Sequence, residues 1–250
     1  LIIGGQVKKA DLALGKVRQK GIQEIDGASI ARSICVKSTT MTEIWDKEKL
    51  ANFITSTDSG KKSPVFLEIP LDIQAKNVDF LQHNFEREIS SLNKITDQQL
   101  AIIISMIQSA KRPMILIGAG LSRESAVLLQ NPIKETSVPF STTWNAIDRI
   151  GSSHPNYVGR PQTWGQRSAN ILIQQADLLV AIGSRLGMQQ TGFNWEEFIP
   201  KGKIIQIDID QNELDKGHPT IEYGFAVDAN DALSKILSHQ LGNHTDWLTF

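Results

Sequence analysis

The sequence predicts an α/β protein built on a doubly wound parallel sheet and preceded by part of a second α/β domain. Three observations carry that expectation. From residue 96 onward, short apolar runs alternate with segments of helical periodicity, as in repeated strand–helix–strand units. The cores of "PMILIGAGLS" (113–122) and "DLLVAIGS" (177–184) are apolar throughout rather than alternating, which suits strands covered on both faces. Both runs end in glycine, at Gly118-Ala119-Gly120 and at Gly183, where a parallel strand turns toward its next helix.

Taken in order, residues 1–76 carry apolar runs at 1–3 and 65–69, with polar, helix-compatible segments between them. "SPVFLEIPLD" (63–72) is the clearest strand there, fenced by Pro64 and Pro70. Residues 77–95 are polar and aperiodic, as a linker would be. Thr96 followed by Gln99 forms a capping box, and Leu100, Ile103, Ile104 and Ile107 recur at helical spacing, so a helix is expected over 97–110. A strand at 113–117, a helix at about 122–130 and a strand at 138–143 follow. "GQRSANILIQQA" (165–176) reads as a helix, and 177–184, 203–210 and 223–228 read as strands. Asp228 then caps a helix whose apolar face is Ala229, Leu233, Ile236 and Leu237. Residues 96–240 thus form a Rossmann-like domain, with 241–250 beginning a further linker.

A net charge of -1, from 26 basic and 27 acidic residues, gives no pull toward nucleic acid or an anionic membrane. The apolar runs are too short to cross a bilayer and no signal peptide is visible, so a cytoplasmic protein is expected. The single cysteine, Cys35, excludes an internal disulfide and a cysteine-rich zinc site; its neighbours suit a small apolar filler. The five histidines (83, 154, 218, 239 and 244) lack metal-ligand spacing, and no metal site is expected. The chain opens at Leu1, without Met and inside a strand-like run, as a piece of a longer polypeptide would.

Ligands of such sheets bind beyond the carboxyl ends of the strands. The candidates are therefore Gly118, Ala119 and Gly120, Thr143 and Trp144, Arg185, Asp208 and Ile209, and Asp228 and Ala229. Glycines let a ligand approach the backbone, and helix amides after Leu121 would favour an anion. A carboxylate such as Asp208 can accept from ribose hydroxyls, and the fixed charge of Arg185 suits a phosphate or an electron-rich ring. Thr163, Trp164 and Gly165, opening a helix, offer a platform for a planar ligand. Each has a plain alternative: a structural turn, a turn-capping Asp208, a helix-capping Asp228, a surface arginine, a core tryptophan. No Ser/His/Asp set or paired carboxylates specify acid–base work.

Together these segments resemble the thiamine-diphosphate-dependent enzymes of the acetolactate synthase group, over nearly the whole chain. "GQVKKADLALGKVRQKGIQEID" (5–26), with its Gln23-Glu24 pair, and "SPVFLEIPLDIQ" (63–74) look like the end of the family's pyrimidine-binding domain, placed at 1–76. "AKRPMILIGAGLS" (110–122), "TWGQRSANILIQQADLLVAIGSRL" (163–186) and "IIQIDIDQNELDK" (204–216) look like its central, DHS-like domain. The resemblance implies an enzyme that decarboxylates a pyruvate-like 2-oxoacid on thiamine diphosphate with Mg²⁺ and transfers the acyl unit to an acceptor. It also implies a homodimer or homotetramer, and FAD or ADP at the central strand ends. Gln23 is the one residue expected near the reactive end. The family's activating glutamate and its metal–diphosphate motif match no segment here, so residues 1–250 alone are expected to be inactive.

Departures accompany the likeness. The family's Asp-Asp-Arg is Gly187-Met188-Gln189 here, a Pro-Lys-Asp lysine is Leu71, and Gly-Met-His-Gly reads "QTWG" (162–165). "GRPQTWGQRSAN" (159–170) and "TGFNWEEFIP" (191–200) look closer to thiamine-dependent homologues of saccharide biosynthesis. Two other readings remain open at the level of sequence. One is a non-catalytic adenine-nucleotide-binding or scaffold domain. The other is a sirtuin-like NAD-dependent deacylase, suggested by "GAGLSRES" (118–125), although that family's zinc site takes four cysteines.

Overall fold

The computed structural model describes residues 1–58, 60–78 and 92–249. The chain divides into two compact units, Leu1–Ser91 and Leu92–Phe250. Most of the linker expected over 77–95 lies outside the described residues.

The first unit holds three parallel strands, β1 (Ile2–Gln6), β2 (Lys37–Thr40) and β3 (Val65–Pro70), in the order β1-β3-β2. Leu67 lies opposite Ile3 on one side and Thr39 on the other. Helices α1 (Gly27–Ala31), α2 (Lys47–Thr55) and α3 (Leu71–Gln74) accompany them. Met41, Phe53, Val65, Leu67 and Ile73 form a small core, against which Trp45, Leu50 and Ile69 pack. β2 is a strand the apolar pattern does not announce: Lys-Ser-Thr-Thr contains no large apolar residue and sits at the sheet edge. Its Thr40 hydroxyl donates to the buried Glu68 carboxylate of β3 at 2.8 Å, so a polar edge strand and a polar core position answer each other.

The second unit is a five-stranded, all-parallel sheet in the order β5-β4-β6-β7-β8. The strands are β4 (Pro113–Ile117), β5 (Phe140–Thr142), β6 (Leu178–Ile182), β7 (Lys203–Asp208) and β8 (Tyr223–Ala226). Side chains alternate across β4, so Ile115 and Ile117 join one core while Met114 and Leu116 join the other. The first core gathers Ile103 and Ile107 of α4 (Asp97–Ser109) with Leu233 and Ile236, further along the chain. The second gathers Leu179, Ala181, Ile173, Phe198 and Ile199. The continuous apolar runs are thus explained by burial on both faces, and the sheet is doubly wound.

The helix expected at about 122–130 is α5 (Arg123–Leu128), and a second short helix, α6 (Gln130–Lys134), follows it. Pro132 falls in the first turn of α6, where its missing N–H has no intrahelical partner to lose. The strand expected from 138 begins at Phe140, after Pro139, which cannot donate to a ladder. α7 (Arg167–Gln175) starts past the Gly165 turn; α8 (Met188–Thr191) and α9 (Gln211–Asp215) are single turns. β7 stops at Asp208 because its own carboxylate accepts the Asp210 N–H at 3.0 Å, turning the chain. α10 (Ala229–Leu237) buries Ala229, Ala232, Leu233 and Ile236, and α11 (Thr245–Leu248) places the Trp247 indole N–H 2.9 Å from the Pro113 carbonyl.

Candidate functional site

Strand order reverses direction between β4 and β6: the chain leaves β4 for β5 on one side and returns to β6 on the other. The carboxyl ends of β4 and β6 therefore flank a topological switch point, where open α/β sheets take ligands.

Gly118, Ala119 and Gly120 lie at that point, and the reason for the glycines is a close approach between two turns. A Cβ on Gly118 would overlap the carbonyl oxygen of Gly183, and one on Gly120 would fall 2.7 Å from the Gly183 Cα. Gly183 itself has φ +62°, and a Cβ there would fall 2.8 Å from the Gly120 Cα and 3.0 Å from the Ala229 Cβ. The amides are engaged: Gly118 N–H donates to Ile182 O at 2.8 Å, Gly120 N–H to Gly183 O at 2.9 Å, and Gly183 N–H to Ile207 O at 2.8 Å. Ala119 and Gly120 remain exposed above this floor. Gly183 belongs to the turn as fully as the two glycines of the motif, a link that local sequence does not signal.

A helix does start just after Leu121, capped by Ser122. α5 is a short helix, and the Ser122 hydroxyl already accepts the Ser125 N–H at 3.0 Å. Ser122 N–H in turn donates to Asn230 Oδ1 at 2.8 Å, tying the β4 turn to the start of α10. Asp228 accepts from both the Asn230 backbone and side chain, at 2.9 and 2.7 Å, so it is the helix cap and brings Asn230 to Ser122. Ala229 is buried beside Gly183.

A buried arginine missed by the sequence reading holds the far side of the turn. Arg149, 6% exposed, donates from Nε to the Leu121 carbonyl at 2.6 Å and pairs through its guanidinium with Asp148. Arg123 Nε reaches Asp148 at 2.6 Å from the other side. The hydrogen bond from Arg123, joined by the charges of Arg149 and Arg123, holds the Asp148 carboxyl below the usual carboxylate range. An Asp-Arg pair beside a loop carries no sequence signature for this role.

Toward the β5 edge, Thr143 N–H donates to Ile117 O at 2.9 Å, and Trp144 projects 52% exposed. Trp164 is 62% exposed, and the two indoles meet edge to face at 6.3 Å. Neither is a core tryptophan. Thr163 donates through both N–H and hydroxyl to Gln189 O, at 2.9 and 3.0 Å, docking the tryptophan loop on α8. Gly165 is required by crowding: a Cβ there would overlap the Arg160 carbonyl oxygen. Beyond β7, Asp208 and Ile209 are half-buried, with Asp208 holding its turn as described. Arg185 is exposed, its guanidinium 4.0 Å from Glu213 and close along Gly187.

Gln23 belongs to the first unit and is exposed, in the left-handed region at φ 59°. Its neighbour Glu24 ties the surrounding loop together: the carboxylate accepts the N–H groups of Ala13, Lys20 and Gly21 at 2.6, 2.8 and 2.9 Å. Those bonds lower the Glu24 pKa, the one from Ala13 most.

A family model described as "Thiamine pyrophosphate enzyme, central domain" matches residues 100–236. The acetolactate synthase isozyme 1 large subunit of Escherichia coli (strain K12) is 27% identical over 219 residues, covering 86% of this chain and 38% of that protein. The acetolactate synthase large subunit of Corynebacterium glutamicum is 29% identical, covering 89% and 36%. A glyoxylate carboligase of Escherichia coli O157:H7 is 26% identical, covering 95% and 39%. The chain thus spans less than two-fifths of the length of these relatives. The matched residues run from α4 through α10 and include the whole switch point, so the chain belongs to the thiamine pyrophosphate enzymes and carries their central domain.

Proposed function

We propose that this chain is part of an acetolactate-synthase-like enzyme that decarboxylates a pyruvate-like 2-oxoacid and transfers the acyl unit to an acceptor. Within it, the second unit is a cofactor-holding module that takes an adenine-containing cofactor at the switch point, FAD before ADP. The single observation that supports the module is the glycine floor at β4 and β6: backbone surface without side chains, flanked by the exposed Arg185. Arg185 is the cation for a phosphate, Asp208 the ribose acceptor, and the Trp144–Trp164 pair a face for a planar ring.

Bound thiamine diphosphate supplies the carbanion chemistry of such enzymes. Among the described residues no three His, Cys, Asp or Glu side chains converge as a metal donor set. No residue here is assigned to a magnesium anchor. Gln23 is the residue proposed to reach the reactive end, its exposed, left-handed placement being the support. A homodimer or homotetramer, supported by the family likeness, and a cytoplasmic location complete the proposed reading. No helix among the described residues is long and apolar enough to cross a membrane.

Titrating the chain with FAD by flavin fluorescence, with ADP and NAD as competitors, tests the module. Saturable FAD binding that ADP weakens and NAD does not is the expected result, and Asp208→Ala should loosen it about tenfold, the loss of one charge-assisted hydrogen bond. ADP binding without FAD would make the site one for the nucleotide alone. Binding of neither would leave a scaffold, the second reading, which the engaged amides of Gly118 and Gly120 favour.

A further inference from the structure

Lys216 sits outside every candidate position, yet it is fastened to one of them. Its side chain is 17% exposed, and its ammonium donates to the Arg185 carbonyl and, at 3.4 Å, to the Leu186 carbonyl. Those carbonyls belong to an unusual corner. Leu186 is fully buried, lacks glycine's freedom and has φ 47°, in the left-handed region that side-chain-bearing residues rarely adopt. The rest of the corner is also held. Ser184 O accepts from Gln206 Nε2 at 3.2 Å, and Leu186 N–H donates to Ser184 Oγ at 3.3 Å. Without Lys216, the two carbonyls that follow lose this donor.

The second contact of Lys216 concerns charge. Glu213, whose side chain is 14% exposed, accepts from Lys216 Nζ at 3.1 Å and stands 4.0 Å from the Arg185 guanidinium. One carboxylate thus faces two cations, and the nearer is Lys216. The carboxylate is compensated from the protein side, leaving the exposed guanidinium with a net positive charge to offer. Were Lys216 uncharged, Glu213 would take Arg185 as its partner.

We infer that Lys216 is a positioning residue for Arg185: it locks the left-handed Arg185–Leu186 corner and neutralises Glu213, so that the guanidinium is presented to a phosphate-bearing ligand. The ligand half rests on the nucleotide reading above; the corner half does not. Lys216 touches no ligand and acts through Arg185.

Two measurements on the 250-residue chain separate these halves. In the first, hydrogen exchange is followed without ligand. Lys216→Met should speed exchange in peptides spanning 183–188 about tenfold while those within 178–182 stay protected, and Lys216→Arg, which keeps donors and charge, should restore most of the protection. Unchanged exchange at 183–188 in Lys216→Met, or speeding across the whole sheet, overturns the lock. The second compares affinity for ADP, with adenosine as the phosphate-free control. Lys216→Met and Arg185→Gln should each weaken ADP about tenfold without moving adenosine, and the double variant should be no weaker than either alone. Glu213→Gln should bind ADP at least as tightly as the parent, and Lys216→Met/Glu213→Gln should regain only the part of the affinity carried by charge, without regaining exchange protection. Additive losses, or equal losses for adenosine, overturn the presentation of Arg185. Absence of ADP and FAD binding in the parent chain overturns the nucleotide reading and with it the ligand half, while hydrogen exchange still decides the corner.

Discussion

The β4 turn is determined at single atoms. Gly118→Ala would drive a methyl into the Gly183 carbonyl, and because the obstacle is backbone on both sides the turn must move. A loss of about 1–3 kcal/mol by urea denaturation is expected. Gly151→Ala is the control, since nothing lies within 4 Å of its Cβ and its φ is unremarkable; it should change stability by less than about 0.5 kcal/mol. Arg149→Met tests the opposite support. It keeps the stem but leaves the Leu121 carbonyl without that donor, at an expected cost of about 1–3 kcal/mol. Asp148 adds a pH dependence with a definite sign. Its folded pKa is lowered, so its contribution is complete above the ordinary carboxylate value of about 4 and is lost as pH falls below that. The difference in Tm between parent and Asp148→Asn should therefore narrow from pH 7 to pH 3. The motif Gly-Ala-Gly was legible as a turn from sequence. That its amides serve Ile182 and Gly183 was not, because the partner is a glycine far along the chain.

At the level of elements, the legible ones are those whose local chemistry and burial agree. The capping box read from Thr96 and Gln99 forms, with Thr96 Oγ1 accepting the Gln99 N–H at 3.3 Å and Gln99 returning to the Thr96 N–H at 3.0 Å. Thr96→Ala should lower the stability of the second unit by about 1 kcal/mol, measurable as a shift of the urea midpoint at unchanged slope. The strands β4 and β6 were visible because burial on both faces demands unbroken apolar runs, and β7 because Ile204, Ile205 and Ile207 flank a buried Gln206. β2 was invisible for the converse reason: an edge strand of Lys-Ser-Thr-Thr is held by backbone pairing and by Glu68, neither of which leaves a hydrophobic period. The helix read at about 122–130 is α5, whereas α6, a single turn carrying Pro132, left no periodic signal of its own.

Across the whole molecule the two units differ in how completely they cover apolar surface. In the first, Ile3, Leu14, Ile22, Ile30 and Ile34 are all more than 60% exposed. Exposed apolar surface on this scale marks contact surface or an aggregation hazard. The 250-residue chain should therefore bind the dye ANS several-fold more strongly than residues 92–250 expressed alone; equal binding would place the adhesive surface elsewhere. Given the proposed function, residues 1–250 supplied with pyruvate, thiamine diphosphate and Mg²⁺ should release no CO₂. Release would require the acid and the metal donors to be found within this chain.

The meeting of Gly118, Gly120 and Gly183 also fixes an order of events during synthesis. A nascent chain that has emerged only as far as β5 already carries the Gly-Ala-Gly sequence, but nothing underlies it. The floor exists once β6 has threaded in beside β4 and its terminal glycine has docked, and the hydrogen bond to Ile207 awaits β7. On the proposed reading, a cofactor at that floor would recognise only chains whose central strands are already assembled.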